Sequence, residues 1–292
     1  MQVNNQLSNN LLLQDNNLIK PIIIKEKLSL DKVNNNKTSN NENLEIKIKD
    51  SNTVKNFSFT NKQTPDEIEN AFEKIENAET QEEKFDLIFE TLKQNDAKID
   101  EKPEHRNIVS FRNPNLPTEN NKKGVYDDVT YVFWKDKEGN KRVESFQSNT
   151  DPNGLFIKSR PNGDFGRIVA GQTYTFSFSK SNDLGDVLRP TNKLNIERFD
   201  SETNKFKKVK TNFATDGTFL FHNGLDIYKN SPKMNNNTFS MGCQTFPSIY
   251  DSKSKTWDNQ WKKFWETMNG NDTKNRQKEI NYTILQLPDL NE

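Results

Sequence analysis

The sequence predicts a mainly β domain with one short helix, preceded by a helical hairpin and a disordered N-terminal arm. Apolar and polar residues alternate along several segments after residue 106, which is typical of strands. Two N-cap motifs, near residues 64 and 80, precede apolar residues at helical spacing. The first 60 residues are dense in Asn, Lys, Ser and Gln. We therefore divide the chain into an arm (1–60), a helical hairpin (61–104) and a β domain (105–290).

The arm contains only short apolar islands, such as Leu11–Leu13 and Ile22–Ile24. Hydrophobic residues make up 30% of the chain and the mean hydropathy is −1.03, so that part of it cannot pack into a core. Islands of this size bury too little surface to offset the entropy lost on ordering. The pattern favours a disordered, biased tail over a delivery or docking segment.

The hairpin is predicted from two similar motifs. Thr64, Pro65 and Glu67 occupy the N-cap, N1 and N3 positions of a capping box, and Thr80 with Glu83 repeats the spacing. The apolar residues that follow at helical spacing are Ile68, Phe72 and Ile75, then Phe85, Ile88, Phe89 and Leu92. Because the other faces are charged, we expect a packing or adaptor role for this hairpin.

The β domain is predicted from its period-two segments and from one aromatic helix. The predicted strands are 108–112, 129–134, 142–146, 171–179, 194–199, 218–221 and 280–287. The aromatic helix carries Trp257, Trp261, Phe264, Trp265 and Met268 on one face. Burial of this face against the sheet is a better interpretation than a ligand-stacking platform.

Charge and hydropathy exclude some classes of partner. Lys plus Arg and Asp plus Glu number 42 each, which gives no electrostatic argument for nucleic acid. No apolar run approaches the roughly 20 residues of a membrane span. The N-terminal residues lack the basic and apolar regions of a signal peptide, so we expect synthesis in the cytoplasm and no Sec-type export.

The candidate chemistry lies in residues 219–245. Cys243 is the only cysteine, which excludes an internal disulfide, and it follows His222, one of two histidines, by 21 residues. This separation fits two neighbouring strands joined by a loop, with residues 226–237 as an exposed flap. A thiol is nucleophilic as thiolate, and an adjacent imidazole is the usual means of forming one.

Small residues flank both groups. Gly224 follows the histidine segment and Gly242 precedes the cysteine, where side chains would block the approach of backbone donors. This predicts an oxyanion hole built from the N–H groups of Met241, Gly242 and Cys243.

Other interpretations of these residues are simpler. Taken singly, a buried cysteine is often inert and a histidine is often structural. A zinc site lacks ligands here, and no cofactor is indicated. His105, between the hairpin and the β domain, is assigned a linker role and serves as a control.

The combined motif resembles the L,D-transpeptidase catalytic domain (YkuD-type). His222-Asn223-Gly224, followed by Ser240-Met241-Gly242-Cys243, is similar to the family signature, and Ser240–Thr245 is similar to a divergent Ser-x-Gly-Cys-Gln-Thr branch found in phage and other bacterial proteins. The resemblance implies an L,D-transpeptidase-like β-sandwich acting on peptidoglycan stem peptides. It implies that Cys243 attacks the carbonyl of an L,D-peptide bond, with His222 as general base and acid. The carbonyl of Asn223 would hold the imidazole and Ser240 would support the turn.

The sequence also departs from the family pattern. Met241 stands where the family has a histidine, which leaves His222 as the general base, and Thr245 stands where it commonly has an arginine. Candidates for binding the substrate in place of that arginine are Arg189, Arg167 and Gln244.

The resulting hypothesis is a cysteine-dependent acyl transfer or hydrolysis on the cell wall, reached after lysis or by non-classical delivery. The alternatives are a catalytically inactive module that binds peptidoglycan or a partner protein, and a structural phage or injection component. Stem-peptide preference, acceptor and oligomeric state stay open.

Overall fold

The computed structural model describes residues 62–114, 126–152, 166–200, 202–203, 205–209, 219–224, 240, 242–251, 256–270 and 276–289. The predicted arm and the predicted flap at 226–237 lie outside these residues. Within the described residues the chain is mainly β, as the sequence predicts.

Helices occur where the two N-cap motifs predict them. The helices of the described residues are α1 (Pro65–Asn77), α2 (Gln81–Gln94) and α3 (Gln260–Asn269). At α1, the Thr64 hydroxyl accepts the Glu67 N–H and the Glu67 carboxylate accepts the Thr64 N–H at 2.7 Å, which completes the capping box. At α2, the Thr80 hydroxyl accepts the Glu83 N–H at 3.1 Å. Each cap satisfies donors that would have no partner within the helix, and typically contributes about 1 kcal/mol.

Observed strands overlap all seven predicted ones, and further short strands accompany them. They are β1 (Asn107–Arg112), β2 (Asp128–Lys135), β3 (Lys141–Ser148), β4 (Gly166–Ile168), β5 (Gln172–Ser181), β6 (Gly185–Pro190), β7 (Ile196–Asp200), β8 (Lys205–Val209), β9 (Phe221–Asn223), β10 (Gln244–Phe246), β11 (Ser248–Asp251), β12 (Thr256–Asn259) and β13 (Ile280–Gln286). The six extra strands are three to six residues long, too short for an alternating pattern to stand out in the sequence.

The predicted aromatic helix begins later than the spacing indicates. Trp257 lies in β12, and α3 starts at Gln260 because the Asn259 side chain accepts the Lys262 N–H at 2.9 Å. Trp261, Phe264 and Met268 are the buried residues of α3, so the packing interpretation holds for this part of the predicted face.

Eight strands form one sheet that nearly closes on itself. Their order is β10-β9-β6-β5-β13-β1-β2-β3, with β4, β7 and β8 in a separate three-stranded sheet and β11 paired with β12. At the open ends, just beyond β3, Asn149 and Thr245 exchange two backbone hydrogen bonds of 2.9 Å. The structure thus has a single curved sheet at its centre, and the sandwich that the family resemblance implies stays a prediction.

The two faces of this sheet carry separate cores. Successive side chains of β1 point to opposite faces of the sheet. Ile108 belongs to the core cluster that includes α3, and Val109 belongs to the cluster that includes α1 and α2. The α3 cluster is aromatic, and the rings of Phe221, Phe246 and Phe264 stack within it. Burying one such ring contributes about 1.5–3 kcal/mol to the stability of the fold. The cluster therefore holds β9 and β10 in place.

Candidate functional site

The two strands that carry the candidate residues are parallel neighbours. In their register Thr245 of β10 lies beside His222 of β9. Because side chains alternate between the faces of a strand, Cys243 and His222 share the face opposite the aromatic core. The pairing of the two strands therefore brings the thiol and the imidazole together at the same face of the sheet.

A backbone carbonyl orients the imidazole of His222. Nδ1 lies 2.7 Å from the Asn223 carbonyl oxygen, and since that oxygen only accepts, Nδ1 carries the proton. The ring and the Cys243 side chain interact closely enough to shift each other's pKa, and Nε2 is the ring nitrogen that remains for this contact. His222 is buried, at 7% exposure, whereas Cys243 is partly exposed. The imidazole is thus kept from bulk water.

The pKa values of the pair move toward each other. Burial alone would raise the pKa of the Cys243 thiol, but the hydrogen bond and charge of His222, with backbone N–H groups of Leu220 and Phe219, lower it overall. Burial alone would lower the pKa of His222, but the bond to Cys243 and the Asn223 carbonyl raise it. Both shifts favour a thiolate–imidazolium pair, the activated form of a cysteine nucleophile.

Ser240 and Gln244 hold the turn that leads into Cys243. The Ser240 hydroxyl accepts the Gly242 N–H at 3.0 Å and donates to the Cys243 carbonyl at 2.8 Å. The Gln244 amide donates to the Gly242 carbonyl at 2.9 Å, and this side chain is buried. Of the predicted oxyanion donors, the Gly242 N–H is therefore engaged by Ser240, and Met241 lies outside the described residues.

The two glycines sit where other residues come too close for a side chain. Gly242 has φ +132°, and a Cβ there would lie 2.2 Å from the Gly166 carbonyl oxygen. A Cβ on Gly224 would lie 1.9 Å from the Tyr126 hydroxyl oxygen. A side chain therefore does not fit at either position, and the predicted approach of backbone donors to an acyl oxygen stays a prediction.

Tyr126 and Phe219 are parts of the site that the sequence does not reveal. The Tyr126 hydroxyl donates to the Gly224 carbonyl at 3.2 Å, next to the Asn223 carbonyl that orients His222. Phe219 has φ +62°, which is rare for a bulky residue. Neither feature has a local sequence signal, because the first depends on a contact 98 residues away and the second on tertiary packing.

The three residues proposed for substrate binding lie in different environments. Arg167 is buried, with its guanidinium 2.8 Å from Glu197, 3.3 Å from Asp151 and over the ring of Phe206. Its charge is thus compensated inside the protein. Gln244, also buried, is turned toward Gly242.

Arg189 lies closest to the expected arrangement. Leu188 pairs with Phe221, so alternation places Arg189 on the face of His222, where it is partly exposed. Its Nε is 3.4 Å from the Ser179 hydroxyl. Of the two arginines, Arg189 is thus the one that lies on the face of His222 and is partly exposed.

Among the described residues, no group of three or more His, Cys, Asp or Glu side chains is arranged to hold a metal ion. In the same part of the chain, no helix has the length and apolar character needed to cross a membrane. His105 is engaged elsewhere, with Nδ1 2.7 Å from Asp100 Oδ2.

A buried carboxyl lies next to the ion pairs of Arg167. Asp128 is 1% exposed, and its carboxyl accepts the Thr150 N–H at 2.6 Å, the Thr150 hydroxyl at 2.7 Å and the Asn113 N–H at 2.8 Å. Burial and the negative charge of Asp151 raise the pKa of Asp128 to about 7, against the opposing effects of Thr150 and Arg112.

This shift predicts a specific dependence of stability on pH. The folded state keeps a proton on Asp128 that the unfolded chain releases near pH 4, so its contribution is full below that pH and is lost as the pH rises through about 7. The loss amounts to at most about 4 kcal/mol. We expect Asp128→Asn to flatten the fall in the free energy of unfolding between about pH 4 and pH 7, measured by urea denaturation.

The exposed Asp183 offers a matched control, since Asp183→Asn removes the same charge at the surface. Equal pH slopes for Asp128→Asn and the wild type would contradict the assignment, even if the variant is less stable at every pH.

Comparison of the chain with protein-family models, with curated proteins and with solved structures found no match.

Proposed function

We propose that this protein is a cysteine-dependent acyl-transfer enzyme that acts on peptidoglycan stem peptides at an L,D-bond. The observation that carries the proposal is that Cys243 and His222 lie together at the neighbouring strands β10 and β9, with Nδ1 held by the Asn223 carbonyl. The substrate class comes from the resemblance of the His222-Asn223-Gly224 and Ser240–Thr245 motifs to L,D-transpeptidases. Under this proposal, the eight-stranded sheet corresponds to the β-sandwich of that family.

The proposed reaction begins with proton transfer. The Cys243 proton passes to Nε2 of His222, and the thiolate attacks the carbonyl carbon of the scissile bond. The C–N bond breaks, His222 returns the proton to the leaving amine, and a thioester joins the acyl group to Cys243. Water then releases a carboxylate, or an acceptor amine forms a new amide, and either step regenerates the thiol.

The Asn223 carbonyl supports this sequence in each protonation state. It accepts a hydrogen bond from Nδ1 both in neutral imidazole and in imidazolium, so the ring keeps its orientation while Nε2 gains and loses the proton. This replaces the carboxylate that orients the imidazole in Ser-His-Asp triads. Arg189 is the proposed partner of the substrate carboxylate.

A second candidate is a catalytically inactive module that holds a wall peptide or a partner in the same place. The observation in its favour is that the Gly242 N–H already binds Ser240, which takes away one predicted oxyanion donor. One measurement distinguishes the enzyme from the inactive module: only the enzyme changes the peptide covalently.

The test is mass spectrometry of muropeptides that carry tetrapeptide stems, incubated with reduced protein. We expect the wild type to release the terminal residue or to form cross-linked dimers, and Cys243→Ala to form neither. A thioester adduct on Cys243 is expected in the intact protein. Unchanged muropeptides with demonstrably reduced wild-type protein, or equal products with Cys243→Ala, would refute the proposal.

A further inference from the structure

Phe219 holds a backbone conformation that its residue type disfavours. Its φ of +62° lies in the left-handed region, where a side chain with a bulky ring is strained, and the residue is 4% exposed. Strain of this kind persists only where the surrounding structure enforces it, and it concentrates at functional sites.

The neighbours of Cys243 enforce this conformation from both sides. The Phe219 ring belongs to the aromatic core and lies against the bare Cα of Gly242, where an added Cβ would be 2.7 Å from Cε1. On the other side, the Leu220 carbonyl accepts the Gln244 N–H at 2.8 Å. The segment from Phe219 to Leu220 is therefore fixed to the residues before and after Cys243.

The result is a pair of consecutive N–H groups that act on one thiol. The backbone N–H groups of Phe219 and Leu220 both lower the pKa of the Cys243 thiol. Consecutive N–H groups converge in this way when one residue is left-handed, and such an arrangement, called a nest, binds anions. His222 is the titratable group that contacts the same sulfur.

We propose that Phe219 is a positioning residue whose left-handed backbone directs its own N–H and that of Leu220 onto the Cys243 sulfur and so stabilises the thiolate. His222 takes up the proton, and the nest holds the negative charge that remains. Because amide donors do not titrate, the nest acts on the thiolate whatever the charge of the imidazole. This proposal rests on the proposed function only because the Cys243 thiolate is the nucleophile of the proposed reaction.

A matched pair of variants separates the backbone from the ring. Phe219→Gly and Phe219→Ala both delete the ring, but only glycine adopts positive φ without strain. The measurement is the rate of Cys243 alkylation by iodoacetamide between about pH 4.5 and pH 9, which yields the apparent thiol pKa and, at high pH, the accessibility of the sulfur.

We expect Phe219→Gly to alkylate at about pH 6 within about threefold of the wild type. Phe219→Ala is expected to be at least about tenfold slower at that pH, with equal rates at high pH. Equal profiles for the two folded variants would overturn the proposal.

A second measurement needs no substitution at Phe219. In the wild-type protein, the amide resonances of Phe219 and Leu220 are expected to shift with the ionisation of Cys243 and to stop doing so in Cys243→Ala. If the chemical shifts of these two amides do not change as the Cys243 thiol ionises, the proposal is overturned, even if both Phe219 variants fail to fold. Since neither experiment uses a muropeptide, failure of the nest and failure of the proposed reaction are distinguishable.

Discussion

Replacing His222 by alanine is expected to slow the alkylation of Cys243 by iodoacetamide at about pH 6 by at least about tenfold. The hydrogen bond and charge of the imidazole lower the thiol pKa, and without them burial raises it again. Each pKa unit changes the thiolate population below the pKa about tenfold. In the wild type, the rate is expected to exceed that of the urea-denatured chain at the same pH.

His105→Ala is the matched control, because it removes the other imidazole of the chain from its contact with Asp100. We expect its alkylation profile to match that of the wild type. A His222→Ala protein that is folded and still reacts at the wild-type rate at about pH 6 would show that the imidazole does not activate the thiol.

Replacing Gly242 by alanine is expected to reduce the free energy of unfolding by about 3 kcal/mol or more. The methyl group would lie 2.2 Å from the Gly166 carbonyl oxygen and 2.7 Å from the Phe219 ring, and alanine disfavours φ +132°. Urea denaturation measures the loss, and alkylation at about pH 6 is expected to fall with it because Cys243 is the next residue.

Gly139→Ala separates the two causes of this effect. Gly139 has φ +84° but nothing within 4 Å of an added Cβ, so its replacement involves only the backbone conformation. We expect a loss of about 1 kcal/mol there. If the two variants lose the same amount, the close approach of Gly166 to Gly242 does not restrict the site.

Local rules in the sequence predict much of this fold. The caps of Thr64 and Thr80 and the alternation in β5 depend on residues a few positions apart, and so they can be found without the tertiary structure. Trp257 marks the limit of such rules. Its spacing to Trp261 suits a helix, yet it lies in β12, since the side chain of Asn259 begins α3 one turn later.

The candidate site also has parts that the sequence predicts and parts that it does not. Its two candidate residues, Cys243 and His222, can be picked out because cysteine and histidine are scarce in this chain and a short motif surrounds each. The environment of Arg167 cannot be predicted in this way, because its partners Asp151 and Glu197 are 16 and 30 residues away in sequence and become neighbours only after folding. An arginine that binds substrate and one that is neutralised internally look alike in the sequence.

The strand order of the large sheet has a consequence for biosynthesis. The strands β10, β9, β6 and β5 form one half and β1, β2 and β3 the other, and β13 lies between them, pairing with β5 and with β1. Residues 280–286 leave the ribosome after both halves. Nascent chains that lack them miss the strand that pairs with both halves, which are otherwise joined by the backbone bonds of Asn149 with Thr245 and by side-chain contacts such as that of Phe146 with Phe246. Cys243 is thus expected to reach the environment that lowers its thiol pKa only after translation of β13, and a truncated chain that ends before residue 280 is expected to lack that shift.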